Sequence, residues 1–275
     1  MSEAGFTPEQ IDTSKAHPAR MYDYYLGGRD NYEVDREAAE RVLELSPEIQ
    51  VVARGNRAMM HRAVRTVVRR GIRQIIDIGT GIPTSPNTHE VAREISDRVR
   101  VAYVDNDPIV ATYAGAKLTN EGDAGFVLAD VREPKAIIEH PTMQELIDFD
   151  QPVALMLMAV LHFVRDEEDP AGIVATLTER LPAGSCLILS HVTGDFKPEG
   201  GDLGAASDVY KKATATLTLR GYDEILPLFE GFDLLEPGLV QVPLWRPDGP
   251  VPQGAELRQY VGYGGVGVKG GVTGE

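Results

Sequence analysis

Five short apolar runs, at residues 74–78, 99–105, 125–129, 153–159 and 185–191, are separated by stretches of helical spacing near 87–96, 108–119, 134–140 and 170–181. A chain that alternates in this way assembles its strands into a parallel sheet and covers both faces with the intervening helices. The run Val153–Ala159 is apolar almost throughout, as a central strand buried on both faces must be. The pattern predicts a doubly wound, mostly parallel α/β sheet. Val261–Val268 is a candidate terminal strand whose register the glycines of 262–271 leave open. At 275 residues the chain is long enough for a core that needs neither disulfides nor structural metals.

The sequence ahead of the first run is of another kind. Residues 1–16 read as a flexible tail, residues 17–70 as a helical cap, and residues 71–275 as the sheet domain. One helix is predicted from about 35 to 45, before Pro47. Between Glu48 and Asp77 there is no acid but seven arginines: Arg54, Arg57, Arg62, Arg65, Arg69, Arg70 and Arg73. Met60, Val64, Val67 and Val68 recur between them, which predicts an amphipathic helix over roughly 48–70 with an Arg-rich outer face. That face either is solvated and pairs with acids elsewhere or receives an anionic partner.

Composition excludes several functions. A net charge of −15 opposes nucleic-acid binding, which rewards basic surfaces. The one cysteine, Cys186, has no partner for an intramolecular disulfide and sits inside a predicted strand, so it reads as core. The six histidines are scattered and form no metal pattern. The start, MSEAGFTPEQ, lacks the basic and apolar regions of a secretory signal. No apolar run reaches the roughly 18–20 residues of a membrane span, so a cytoplasmic location is expected.

The segment Ile75–Thr84 carries the clearest ligand signal: an apolar run stops at Gly79-Thr80-Gly81. Glycines there permit a tight turn and close backbone approach to a ligand. Thr84 stands where a dinucleotide fingerprint has its third glycine, and Pro83 and Pro86 remove amides that would cradle a pyrophosphate. Asp77 just before the turn repels a pyrophosphate and suits a cation, such as the sulfonium and ammonium of S-adenosylmethionine. Asp105, at the end of the second run, is placed to accept ribose hydroxyls, or else caps the following helix. Asp130 and the Val131 amide, at the third run's end, suit an adenine edge; Asp130 also reads as a cap. The fourth run leads into Met158–Asp166. All four ends fall where an open α/β sheet has its binding crevice.

These residues resemble a class I, Rossmann-like S-adenosylmethionine-dependent methyltransferase over residues 72–191. A closer similarity covers nearly the whole chain. Ala19–Tyr32, with its RMYDYYLGGRDN run, is similar to the N-terminal signature of a poorly characterised bacterial family of this class, as are Gly55-Asn56-Arg57, Asp77–Asn87, Ala159–Val164 and Tyr263–Val266. The resemblance implies a seven-stranded sheet with the last strand antiparallel, and binding of S-adenosylmethionine with S-adenosylhomocysteine as product. It supplies no acceptor. The first strand's end then contributes Asp77, Gly79, Thr80 and Gly81 to the cofactor, and the second Asp105 and Asn106. The third contributes Ala129, Asp130 and Val131, the fourth Met158, Ala159 and His162. The N-terminal part contributes Tyr22 and Arg57.

Methyl transfer from a sulfonium is an in-line displacement, so the protein mainly orients the reactants and excludes water. Where the acceptor must lose a proton, the base candidates are His162, His191 and Tyr22. Tyr22, Tyr25 and Tyr32 flank Gly27-Gly28 and either close over a ligand or belong to a helix packed on the sheet. Arg20 or Arg57 suits the methionyl carboxylate. The acceptor pocket is expected from the N-terminal segment, from His191–Leu219 with Asp195, Phe196 and Tyr210, and from Leu239–Pro252 with Trp245 and Arg246. Trp245 alternatively covers core. No Asx-Pro-Pro-aromatic motif follows the fourth run, which argues against exocyclic base amines as acceptors. The expectation is methyl transfer to a small molecule. Its rivals are a non-catalytic S-adenosylmethionine-binding regulatory module and an NAD-dependent oxidoreductase.

Overall fold

Side chains that alternate along each strand divide between two cores, one on either face of a single sheet. The computed structural model describes residues 12–117, 123–196 and 202–270. Three helices come first: α1 (Pro18–Tyr25), α2 (Glu33–Leu45) and α3 (Ile49–Arg69). They are followed by β1 (Gln74–Ile78), α4 (Thr88–Arg93), β2 (Arg100–Asp105), α5 (Pro108–Lys117) and β3 (Ala124–Leu128). Next come α6 (Pro134–Glu139), α7 (Pro141–Leu146), β4 (Ala154–Met158), α8 (Pro170–Thr178) and β5 (Cys186–Val192). The chain continues with α9 (Leu203–Lys212), α10 (Tyr222–Ile225), β6 (Phe232–Leu234), β7 (Val240–Gln241), α11 (Gly254–Arg258) and β8 (Gly262–Lys269).

The strand order is β3-β2-β1-β4-β5-β8-β6, with β1 to β5 mutually parallel and β8 antiparallel to both of its neighbours. Seven strands lie on this path; an eighth, the two-residue β7, pairs only with β8. Ile76, Leu155, Leu157, Leu187 and Leu189 face α6, α7 and α8, while Ile75, Met156, Cys186 and Ile188 face α3 and α4. Cys186 is buried in its strand, and burial pushes its thiol up to about 11. The glycine-rich end of the chain has a packing reason: a Cβ at Gly264 would collide with the thioether of Met59 on α3.

A third core joins α1, α2 and the first turns of α3 to α9 above the end of β5, through Met21, Tyr25, Val42, Ile49, Leu203 and Tyr210. The third core thus also takes in α9, part of the segment expected to help form the acceptor pocket, while the rest of α3 packs on the sheet. Helix α2 starts earlier than expected because the Asp35 carboxylate reaches back to the Tyr32 amide (2.9 Å). Most of the expected tail, residues 1–11, lies outside the described residues, as do positions 118–119 of the fifth helix. Ala16 is buried, and Arg20 donates to the carbonyls of Asp12 and Lys15 (3.4 and 3.2 Å), so residues 12–16 are fastened to α1.

Two expectations need correction. Arg62 is not on an outer face of α3: it is buried and donates to the carbonyls of Trp245 (2.9 Å) and Val242 (2.8 Å). Trp245 is completely buried in the core under α3, its alternative reading, and does not line the cavity described below. Among the described residues no helix is long and apolar enough to cross a membrane.

Candidate active site

Between the carboxyl ends of β1–β5 and the cap lies a cavity. Sheet order explains its position: β1 leads outward to β2 and β3 on one side, whereas β4 and β5 lie on the other, and the crevice opens where the winding reverses. The strand-end residues expected around the cofactor, from Asp77 to His162, line this cavity together with Tyr22 and Arg57.

The loop after β1 is held by its own amides. Gly79 and Thr80 donate to the Val104 carbonyl (2.8 and 3.2 Å), and Gly81 donates to Oδ2 of Asp105 (2.8 Å). Gly79 has φ +72°, and a Cβ there would collide with the Val160 side chain, so glycine is required. Asp105 is buried and also accepts from the Asp107 amide (3.0 Å); burial raises its pKa. Asp77 is buried with the Thr88 hydroxyl as donor (2.6 Å), and burial pushes its carboxyl up to about 6. Asp130, about one-third exposed at 32%, is engaged by Arg132 (2.9 Å) and by the Asn106 amide (3.0 Å).

The two arginine candidates part company. Arg57 lines the cavity and ties α3 to the glycine loop through the carbonyls of Thr84 and Pro86 (2.8 Å to the latter). Arg20 does not line it. Its guanidinium is buried between Asp35 (3.4 Å) and Asp107 (3.1 Å), where it neutralises two buried carboxylates and is withdrawn from any ligand. Asp195, Phe196 and Arg246 likewise lie outside the wall, whereas Tyr210 is part of it.

The base candidates are also changed by their surroundings. His191 is buried; its Nε2 lies 2.9 Å from a guanidinium nitrogen of Arg220, which only donates, so Nε2 accepts and Nδ1 donates to the Val192 carbonyl (2.6 Å). Burial and Arg220 hold this ring neutral, pushed down to about 4, with no lone pair left for a substrate proton. The Tyr22 hydroxyl donates to the Ala53 carbonyl (2.9 Å) and accepts from Asn56 (3.1 Å), and burial raises its pKa; it is not a base. His162 is buried and neutral, its pKa lowered by burial. Its Nδ1 accepts weakly from the Val192 amide (3.5 Å), which leaves Nε2–H as a donor.

Sequence reasoning missed the links that lock this arrangement. The Ala159 amide donates to the Ser190 hydroxyl (2.9 Å), which donates to Asn56 Oδ1 (2.5 Å), and Asn56 Nδ2 donates to Tyr22. The chain runs from the end of β4 to α1. Ala159 itself has φ +58°, a conformation that costs an L-residue about 1–2 kcal/mol and that clusters at functional sites. Asn56 had a readable signal: it falls on the stripe Ala53, Met60, Ala63 and Val67, a polar residue on an apolar helix face. Replacing Asn56 with Leu strands the Ser190 hydroxyl proton and removes the donor to the Tyr22 oxygen, and denaturant titration is expected to show a loss of about 2 kcal/mol.

The donor set fits S-adenosylmethionine. Carboxylates from three neighbouring strand ends face one cavity, and the buried Asp77 has a hydroxyl rather than a cation as its hydrogen-bond donor. Among the described residues no group of three or more His, Cys, Asp or Glu is placed to hold a metal. A doubly wound, mostly parallel sheet with these acids at its switch point defines a class I methyltransferase that uses S-adenosylmethionine. The family model described as S-adenosyl methyltransferase matches residues 4–270, and the chain belongs to that family.

Two solved structures are similar over almost their whole length. A DUF574 family protein from Streptomyces avermitilis shares 43% identity over 94% of this chain and 99% of its own, with a TM-score of 0.89. A candidate methyltransferase from Thermobifida fusca shares 35% identity over 95% of this chain and 97% of its own, with a TM-score of 0.88. No curated protein gives a significant match.

Proposed function

We propose that the protein transfers the methyl group of S-adenosylmethionine to a small organic molecule held in the same cavity. The observation that carries this reading is the cavity's two-part wall. Carboxylates from β1–β3 line one side, apolar and aromatic side chains near β4, β5 and α9 line the other, and the two meet at Met158–His162. When bound, S-adenosylmethionine supplies a methyl group already activated by its sulfonium. Asp105 would take the ribose hydroxyls, Asp130 and the Val131 amide the adenine edge, and Asp77 the cationic portion. Arg57 is the remaining candidate for the methionyl carboxylate.

The chain's own part is orientation. Both His191 nitrogens are engaged, the Tyr22 hydroxyl keeps its own proton on the Ala53 carbonyl, and His162 presents a donor, so the reading favours an acceptor atom that offers a lone pair without base assistance. The loop amides count against a dinucleotide: Gly79, Thr80 and Gly81 all donate to protein oxygens and leave no cradle for a pyrophosphate. The lack of a free base also favours a second reading, a module that binds S-adenosylmethionine without transfer; turnover of any acceptor excludes it.

The test is the heat of binding of S-adenosylmethionine, S-adenosylhomocysteine and NAD to the wild type and Asp105→Ala. The first two are expected to bind at micromolar concentration. The variant is expected to lose on the order of a hundredfold, because it removes both a ligand acceptor and the partner of the Gly81 amide. Binding of NAD alone would overturn the reading.

A further inference from the structure

The second half of the cavity has a chemistry of its own. Tyr25, Ile49, Val52, Phe163, Tyr210 and Leu217 form its wall. The rings are close: His162 and Phe163 have centroids 4.4 Å apart, Phe163 and Tyr210 5.6 Å, and the hydroxyls of Tyr25 and Tyr210 lie 3.1 Å apart. Among the described lining, Asp77, Asp105, Asp130 and Arg132 come from other elements; Arg57 shares α3 with Ile49 and Val52, but its guanidinium donates to the carbonyls of Thr84 and Pro86, and His17, the N-cap of the helix that carries Tyr25, lies 3.3 Å from Asp107. Arg132 approaches this half closely enough to donate to the Phe163 carbonyl (2.8 Å), but Asp130 and Glu168 already neutralise it, at 2.9 Å each.

The polar atoms within this half are mostly satisfied. The Tyr22 hydroxyl is tied to Ala53 and Asn56, and His191 is tied at both nitrogens. Two donors remain: one proton of the Tyr25–Tyr210 hydroxyl pair, whose single bond uses only the other, and Nε2–H of His162, on a side chain more than nine-tenths buried, which lines the cavity without a partner among the described residues. A buried charge entering here would find no counter-ion, whereas a flat uncharged ring finds aromatic faces, and a lone pair on it finds the His162 donor beside them.

We propose that the acceptor is an uncharged, flat aromatic molecule carrying a hydrogen-bond-accepting nitrogen or oxygen that docks against His162 Nε2. This specificity rests on the methyl-transfer reading for the occupant of the other half. The test uses protein loaded with S-adenosylhomocysteine and three probes near neutral pH: quinoline, its carboxylate derivative and its aminomethyl derivative. Quinoline is expected to bind at least about tenfold more tightly than either ion, since each ion must be desolvated without a partner. Equal or tighter binding of either ion overturns the proposal, as does binding of none of the three.

Two variants locate the effect. Val52→Lys places an ammonium in the apolar half and is expected to make the carboxylate the preferred probe. An unchanged order counts against the assignment. His162→Phe keeps a ring but removes the donor, and is expected to weaken quinoline several-fold while leaving naphthalene, which has no acceptor atom, unaffected. An equal loss for both overturns the role of His162. Binding of S-adenosylhomocysteine to each variant checks that it has folded. Failure of that ligand on the wild type refutes the cofactor reading, whereas success there with no discrimination among probes refutes only the acceptor class.

Discussion

Arg220→Leu is expected to lower stability by about 4 kcal/mol and the thermal midpoint by roughly 10 °C, far more than its position between α9 and α10 suggests. The side chain is 3% exposed and gathers acceptors from three directions. It donates to the carbonyls of Leu161 (2.9 Å) and Val164 (2.8 Å), to Nε2 of His191 (2.9 Å) and to the Asp166 carboxylate (2.7 Å). Leucine fills much of the space but leaves the Val164 carbonyl and an imidazole nitrogen buried without donors, and removes one of the two donors to the Leu161 carbonyl. Lysine is expected to rescue little, because one ammonium cannot reproduce the planar fork. The same residues shape the cavity wall at His162–Val164, so ligand binding falls with stability. A midpoint shift below about 3 °C would show that water replaces the guanidinium.

Asp77→Asn is expected to move stability and binding in opposite directions. The native carboxyl titrates near 6, against 3.8 in the absence of the fold, so the folded protein holds a proton there that the unfolded chain releases. Stability from this group is therefore undiminished below about pH 4, falls as pH rises through 4 to 6, and stays low above, by about 3 kcal/mol at full effect. Asparagine keeps an acceptor for Thr88 and has no charge to bury. Its thermal midpoint is expected to exceed the wild type by about 5 °C at neutral pH and to match it near pH 4. Affinity for S-adenosylmethionine is expected to drop on the order of a hundredfold. In the wild type it should rise with pH up to about 6 and then level, since the cation binds the ionised form; in the variant this dependence should vanish. A variant that is neither more stable nor weaker in binding would show that Asp77 is not ionised against the ligand.

The sheet was legible because its strands announce themselves. Gln74–Ile78, with its three isoleucines, and the wholly apolar Ala154–Met158 are buried along their whole length, and short runs of this kind bounded by turn residues have few other homes. The strand-end acids were legible for a related reason, since position at a carboxyl edge already fixes which way they can serve. What escaped was fixed by partners distant in sequence. Nothing in the order of residues pairs Arg20 with Asp107, or Arg220 with the Leu161 carbonyl. Arg62 lies on a charged-looking helix, yet it is drawn inward by two carbonyls of a loop some 180 residues later. The short elements β6 and β7, of three and two residues, have too little sequence to show a period. The expected helix at 134–140 is α6, which stops at Glu139 because His140 adopts an extended backbone before Pro141, and the short α7 that follows was not expected.

The place of β8 in the sheet has a consequence for the order in which a ribosome can deliver this protein. The five parallel strands can pair with one another as each emerges, but β6, whose only sheet neighbour among the described residues is β8, must wait for a strand about thirty residues downstream. Gly262 and Tyr263, which close part of the cavity, arrive with that strand. A nascent chain thus completes its parallel half, with the strand-end acids, well before the antiparallel edge arrives to close the last part of the cavity wall.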